Sequence, residues 1–455
     1  MKFKLTKTLI EEINLLIEEK NLSSLIYKFE NMHPADTAEI IKNINITTAK
    51  TIIQKLNKEL SAEILIELED DIREKILSEF TPKKIAKEVI NNLDSDDATD
   101  VIQDLPEEKK IKVLSHIKNQ DLAENIESLL LYEENQAGGL MAKELVKVNI
   151  NWKLKTCLRE MRKQAENLNS IYNVYVVDDQ GKLKGTLSLK KLLITSSESE
   201  ISHIYNPNVI SVKANDLAEN VAIIFKKYDL VALPVLNDEN ILIGRITVDD
   251  VIDFMEEEAE KDYQLASGIS EDIEYSDNII NQTKARLPWL IIGVFGGLIG
   301  AQILAIFTNE DSFIKLALFI PLIAAMAGNA GIQSSALIVQ GIANNSLKMN
   351  NILNKIIKES AVASFNGIIC SIIIFTICVL IGQEIYIGVT VGLSLLIVIV
   401  CASLFGTIIP LVLEKLKIDP ALATGPFITT LNDILSIIIY FSVAKYVIMI
   451  INLNI

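Results

Sequence analysis

From Leu287 onward the chain changes character: charges nearly vanish and apolar runs are long enough to cross a bilayer. Inside lipid every backbone polar group needs an internal partner, so such runs fold as membrane-spanning helices. Polar breaks divide them into spans near 287–307, 314–343, 360–382, 386–413 and 420–450, which predicts a five-helix transmembrane bundle. Lys284 and Arg286 precede the first span. Lys348, Lys355 and Lys358 separate the second from the third, and Lys415 and Lys417 the fourth from the fifth. The alternate connections carry Glu310, Asp311 and Glu384 against Lys315. Basic loops stay in the cytosol. The expected orientation is therefore a cytosolic N-terminal half and an outside C-terminus, in the plasma (inner) membrane as a multi-pass protein.

The formal net charge of −16 then belongs to the part before the membrane. Acidity argues against nucleic acid, whose phosphates need Lys and Arg. It suits metal cations, although solubility alone accounts for it equally well. Cys157, Cys370, Cys378 and Cys401 form no CxxC pair, so neither a disulfide framework nor a zinc site is expected. Residues 1–16 are interleaved with charge and carry no signal-peptide core.

Residues 1–135 read as short helices, with Leu, Ile and Val at helical spacing and breakers at His33-Pro34, Thr81-Pro82, Asp94–Asp97 and Leu105-Pro106. "HPADTAEII", "LSAEILIEL" and "LDSDDATDVI" look like worn copies of one unit, which predicts an all-α superhelical stack. The texture changes at Gln136-Ala137-Gly138-Gly139. Two strand–turn–strand–helix passages follow. Their turns lie at Gln180-Gly181 and Asn237–Asn240, and their helices are led by Ser188 and Thr247. This internal duplication covers 136–254. An acidic linking helix is expected over 255–284, followed by the transmembrane domain, 285–455.

A charged residue deep in a span is costly and normally faces a pathway or partner. Asp433 is such a residue, in "GPFITTLNDILSIIIYF". Gly425-Pro426, Thr429, Thr430 and Asn432 lie around it, and the second span holds Pro321, Asn329, Gln333, Ser334 and Ser335. The neutral groups serve helix–helix hydrogen bonding as readily as pore lining. One carboxylate with amide, hydroxyl and carbonyl oxygens is a hard site, suited to Mg²⁺, Ca²⁺ or Mn²⁺. Two copies of Asp433 on a two-fold axis would match a divalent ion. Asp94, Asp96, Asp97, Asp100 and Glu63 could similarly face the acidic helix 249–262, with a divalent ion holding like charges together; a merely solvated acidic face fits the same residues.

"PLIAAMAGNAGIQSSALIVQGIA", "KIDPALATGPFITTLNDILSIIIYF", "EENQAGGLMAKE" and "VLNDENILIGRITVDDVIDFMEEEA" together resemble the MgtE family of magnesium channels or transporters, over essentially the whole chain. The duplicated passages resemble a cystathionine-β-synthase (CBS) domain pair, and the linking helix the family's plug. The resemblance implies a homodimer in the lipid bilayer with its pore on the two-fold axis, lined by the second and fifth spans. Asp433 would select hydrated Mg²⁺ with help from Asn329 and the backbone near Thr429. It implies regulatory Mg²⁺ at Glu63, Asp96, Asp100, Glu219, Asp229, Asp250, Asp253, Glu258, Asp262 and Asp419. CBS pairs also admit an adenine nucleotide as a modulator. Lys261, Leu217 and Gly425 depart from the family's pattern.

The expectation is a passive Mg²⁺ channel for uptake, closed by cytosolic Mg²⁺, with an ion-coupled carrier of Mg²⁺, Co²⁺ or Mn²⁺ as the alternative. No GxxxxGK[ST] supports coupling to ATP hydrolysis. An intramembrane aspartyl protease needs a second Asp in the spans, and a zinc protease an HExxH; neither is present.

Overall fold

The computed structural model describes residues 5–19, 21–166, 168, 170–271, 273, 278–307, 311–343, 352–423 and 425–453. It forms two compact units, Met1–Glu257 and Glu258–Ile455.

The first unit begins with short helices: α1 Lys7–Glu18, α2 Leu22–Glu30, α3 Pro34–Ile41, α4 Ile46–Ile53, α5 Lys58–Ile66, α6 Asp70–Ser78, α7 Pro82–Glu88, α8 Ser95–Gln103, α9 Glu107–Leu114 and α10 Gln120–Leu129. Their brevity has a local cause. Thr6, Asn21, His33, Asn45, Asn57, Thr81 and Asn119 each accept a hydrogen bond from a backbone N–H in the first turn, so the chain restarts a helix at each one. The three repeat phrases become α3, α5 and α8. Their apolar faces share one core that includes Phe29, Ile40, Ile64, Leu65, Ile76, Val101 and Ile102.

Two small sheets follow. The first orders β1 Val146–Asn149, β2 Val174–Val177 and β3 Leu183–Leu187; the second β4 Val212–Lys213, β5 Ala232–Leu236 and β6 Leu242–Thr247. In each the first pair is parallel and the second antiparallel, with a register shift just before the hairpin turn. The turns match atom for atom. Asp178 Oδ1 accepts from the N–H of Gln180 and Lys182, and Asn237 Oδ1 from those of Glu239 and Ile241. Gly181 and Asn240 both take positive φ, a conformation that suits Gly and Asn. The intervening helices are α11 Leu154–Ala165, α12 Leu189–Ile194 and α13 Ala218–Tyr228. Ser188 caps α12 through Lys191 N–H. Thr247 leads α14, Val248–Ala266, donating N–H and Oγ1–H to Asp250 Oδ2 at 3.0 and 2.6 Å.

The linking helix is shorter than expected. Within the second unit α14 stops at Ala266, where Gly268 takes φ +80° and the N–H of Ile269 returns to Gln264 O. The Gln264 side chain then pairs with both backbone groups of Ile273, fixing the chain's turn away from the helix axis. The span 255–284 is therefore not one helix.

Beyond it lie α15 Ile279–Phe307, α16 Asp311–Ala317, α17 Ile320–Ala343, α18 Ile352–Leu380, α19 Ile385–Lys415 and α20 Pro426–Leu453. Among the described residues five helices are long and apolar enough to cross a membrane. Three boundaries correct the sequence expectation. The second span starts at Ile320, because the chain breaks after α16; the third starts earlier, at Ile352; the fifth starts at Pro426, after a 3-10 turn at Pro420–Ala423. Lys315 donates to Glu384 Oε1 at 2.6 Å, and Tyr440 Oη–H to Leu316 O at 2.8 Å, so the α16 region and the start of α19 share one end of the bundle. Glu310 and Lys348 lie outside the described residues.

Candidate functional site: a lone carboxylate in a span and a crowded acidic cluster

In the second unit α17 and α20 cross where glycines remove side-chain bulk. A Cβ on Gly331 would fall 2.0 Å from Asn432 Nδ2, and one on Gly406 of α19 would fall 2.3 Å from Gly331 O. This close approach lets the buried Asn432 donate to Ala327 O at 3.4 Å. With Asn432 turned inward, its neighbour Asp433 turns outward and is exposed. Its carboxylate makes no hydrogen bond or ion pair with the described residues; only its carbonyl oxygen accepts, from Ser436 Oγ. Thr429, one turn earlier on that face, donates its hydroxyl to Gly425 O and Pro426 O at 3.2 and 3.0 Å. On α17 an exposed row runs Pro321, Ala325, Asn329, Gln333 at i, i+4 spacing. Two helices thus carry oxygen-bearing outward faces within a bundle whose other outward faces are mostly Leu, Ile, Val and Phe.

The first unit holds the opposite arrangement. Asp94, Asp96, Asp97 and Asp100 on and before α8 lie beside Asp249 and Asp250 of α14. Burial, then the neighbouring Asp250, Asp94 and Asp249, push Asp97 up to about 7. Burial raises Asp250 to about 6 despite its bonds to Thr247. Asp96 is also pushed well up, by burial, Asp97 and Asp250. Burial, then Asp97, push Asp100 up to about 8 against the opposing pull of Arg73. A second group adjoins: Glu67 is raised by burial and by Asp253 and Glu63. Asp253 is raised by burial, Asp249 and Glu256.

Two arginines that sequence reasoning missed flank this cluster. Arg73, almost wholly buried, bonds Asp70 and Asp104 at 2.5 and 2.7 Å. Arg245, equally buried, donates Nε–H to Glu144 O and lies 3.6 Å from Asp94 Oδ2. Glu144 Oε2 in turn accepts from the N–H and hydroxyl of Ser95, at 3.1 and 2.7 Å. α8 is thereby pinned at its N-terminal end to the chain just before β1 and, through Arg245, to β6. The arginines answer the outer acids and leave Asp96, Asp97, Asp100, Asp249 and Asp250 between them. Among the described residues no three His, Cys, Asp or Glu form a direct ligand set. The donors are all hard oxygens, which fits a cation that keeps its water shell, as Mg²⁺ does.

The remaining positions are dispersed. Glu219 is exposed in the first turn of α13, and Asp229 closes that helix at φ 50°. Leu217 holds the α13 N-cap position, where it gives no side-chain bond. In the second unit Glu258 pairs with Lys261 at 3.0 Å, so Lys261 supplies a counter-charge along α14, on which Asp262 also lies. Asp419 Oδ1 accepts from Ala421 N–H at 2.8 Å and caps the turn before α20. Gly425 has φ +56°, and a Cβ there would fall 2.3 Å from Ala266 O, so no amide side chain fits this backbone. Sequence reasoning also passed over Lys445, exposed on α20, and Glu359, placed inside the third span by its earlier start.

Comparison with known proteins decides the family. A model of the MgtE divalent cation transporter matches residues 320–443, one of the MgtE intracellular N domain 32–135, and one of the CBS domain 137–198 and 201–257. Magnesium transporter MgtE of Bacillus subtilis is 34% identical over 70% of this chain and 71% of its own length. Its Enterococcus faecalis counterpart is 36% identical over 71% of each. The chain belongs to the MgtE family. The counterpart from Thermus thermophilus is 35% identical over 70% of this chain and 72% of its own. A crystal structure of the cytosolic domain of the Mg²⁺ channel MgtE in complex with ATP superposes with TM-score 0.51 at 30% identity, covering 54% of this chain and 99% of that one. The MgtE architecture of helical N domain, CBS pair and five-helix membrane domain is the one described above.

Proposed function

We propose that this chain is a Mg²⁺-selective channel of the plasma (inner) membrane that admits Mg²⁺ down its electrochemical gradient and is closed by cytosolic Mg²⁺. The observation that carries the reading is Asp433: an exposed, unpartnered carboxylate on a membrane-length helix, beside the Asn329 row of α17. Facing lipid it would be costly. A second copy of the chain covers it, and two carboxylates with Asn329 and the Thr429 backbone form a ring for one hydrated divalent ion. An inside-negative potential supplies about 2.3 kcal/mol per charge per 100 mV, twice that for Mg²⁺.

Closure belongs to the crowded acids. Asp96, Asp97, Asp100, Asp250 and, beside them, Glu63 and Asp253 would hold Mg²⁺ through its waters. The ion neutralises repulsion that protons otherwise relieve. Glu219, Asp229, Glu258, Asp262 and Asp419 complete the proposed regulatory set. The domain bounds follow as 1–135, 136–254, 255–284 and 285–455, with an adenine nucleotide at the CBS pair as a modulator. This last point draws support from the ATP complex of a relative. At the position of Asp250 in the second CBS motif, the first has Lys191, whose Nζ donates to Ile204 O, so the two halves offer a nucleotide different charge.

The test is Asp433→Ala in cells that lack Mg²⁺ uptake. The proposal expects loss of rescue at normal expression; full rescue would remove Asp433 from the pathway. Discrete single-channel currents would separate the channel from an ion-coupled carrier.

A further inference from the structure

Glu359 sits on the eighth residue of α18, just inside the apolar part of that span. A carboxylate inside a span is costly and ordinarily has a partner, and Glu359 has one. Its Oε1 accepts the hydroxyl proton of Ser334 on α17 at 2.7 Å. Ser334 is 3% exposed, so the bond is shielded at the hydroxyl end.

The place of this bond in the bundle gives it meaning. α17 and α18 both pack extensively along α19 but scarcely along each other. α17 meets α19 backbone to backbone at Gly331 and Gly406, while Asn432 and Ile428 of α20 seat their side chains on Gly331. Asn432 also donates to Ala327 O, which ties α17 to α20 on one side. Ser334 follows Asn329 by five residues, about 140° round the helix. Its bond to Glu359 ties α17 to α18 on another side, and the two bonds together set which way Asn329 points.

We infer that Glu359 is a positioning residue of the permeation pathway: its bond to Ser334 holds α17 at the rotation that presents Asn329 on the exposed face it shares in kind with Asp433. This rests on the pore reading above, and it adds a residue from the third span, which contributes nothing to the exposed oxygen face. The bond needs an acceptor on residue 359 and a hydroxyl on residue 334. It does not need the negative charge itself.

The experiment is a permeability-ratio measurement on the full-length protein, Mg²⁺ against K⁺ from reversal potentials, for Glu359→Ala, Glu359→Gln, Ser334→Ala, the Glu359→Ala/Ser334→Ala double variant and Asp433→Asn. Glu359→Ala and Ser334→Ala should each lower the ratio about five- to ten-fold, the effect of losing one hydrogen bond. The double variant should fall no further than either single, and Glu359→Gln, whose amide oxygen still accepts, should stay near the native ratio. Loss in Glu359→Gln equal to that in Glu359→Ala would overturn the inference by making the charge the active property. So would additive losses in the double variant, or an unchanged ratio in the mild Ser334→Ala variant. A native ratio in Asp433→Asn would instead remove the pore reading, whatever the residue 359 variants do. Should Glu359→Ala fail to assemble, Ser334→Ala and Glu359→Gln carry the same decision.

Discussion

Two groups of carboxylates in this chain obey opposite rules. In the first unit six aspartates crowd together, and burial with mutual repulsion drives Asp97 to about 7 and Asp250 to about 6. In the second unit Asp433 stands alone, exposed and without a partner among the described residues. Crowded acids are a store of repulsion that a cation or a proton relieves, so they respond to concentration. A lone acid on an open face repels nothing within its own chain and acts on whatever passes. On the proposed reading, the same side-chain chemistry would serve sensing in one place and selection in the other.

The sharpest way to break this contrast is charge reversal at the lone acid. Asp433→Lys should reduce Mg²⁺ flux at least about 100-fold, since one fixed cation per subunit opposes a divalent ion at close range. Radiotracer or fluorescent-indicator uptake in vesicles reads this, and residual flux above a tenth would contradict it.

Second in size is the Arg245 anchor. Arg245→Met leaves Asp94 without its guanidinium and Glu144 O without its donor. Removing one partner of a buried charged pair costs about 3 kcal/mol. The first unit's thermal transition in the full chain should fall accordingly, and an unchanged transition would show that packing and the Ser95–Glu144 bonds hold α8 without Arg245.

The pH response distinguishes the groups more finely. Raised folded pKa values mean that the folded cluster binds more protons than the unfolded chain. In a chelator, its stability should therefore fall as pH rises from about 4 through about 8, as Asp250, Asp97 and Asp100 ionise in turn. Mg²⁺ replaces those protons, so the concentration that half-closes the channel should drop several-fold between pH 6 and 8. A pH-independent midpoint would detach the cluster from gating. The smallest effect belongs to Lys261→Ala, which frees Glu258 from a partly exposed ion pair. Surface pairs contribute about 0.5 kcal/mol, so the Mg²⁺ midpoint should shift about two-fold downward or less; a larger shift would make Glu258 a principal ligand.

Legibility in the sequence follows the range of the forces involved. Asp433 was legible because a single acid in a long apolar run needs no other information. The paired turns were legible because Asp178 and Asn237 bond their own next few residues. The acidic phrases of α8 and α14 could be suspected of meeting, and they do at Asp96, Asp97 and Asp250. The flanking arginines could not be foreseen. Arg73 meets Asp104 across two intervening helices, and Arg245 meets Asp94 from the far end of the CBS pair. Nothing in their neighbourhoods distinguishes them from solvated arginines. The end of α14 was missed because the acidic pattern runs on smoothly, while the stop depends on Gly268 and on Gln264 folding back to Ile273. Glu359 was missed because the third span was begun one residue after it, at a polar break that the helix runs straight through.

The central claim is that Asp433 selects the ion in a passive pathway. Its most direct test is the current through the full-length protein in planar bilayers under a Mg²⁺ gradient, native against Asp433→Asn. The account predicts discrete native currents that reverse near the Mg²⁺ equilibrium potential, and a variant whose reversal shifts toward that of monovalent ions. Native and variant currents with the same reversal potential, or Mg²⁺ transport with no current at all, would contradict it.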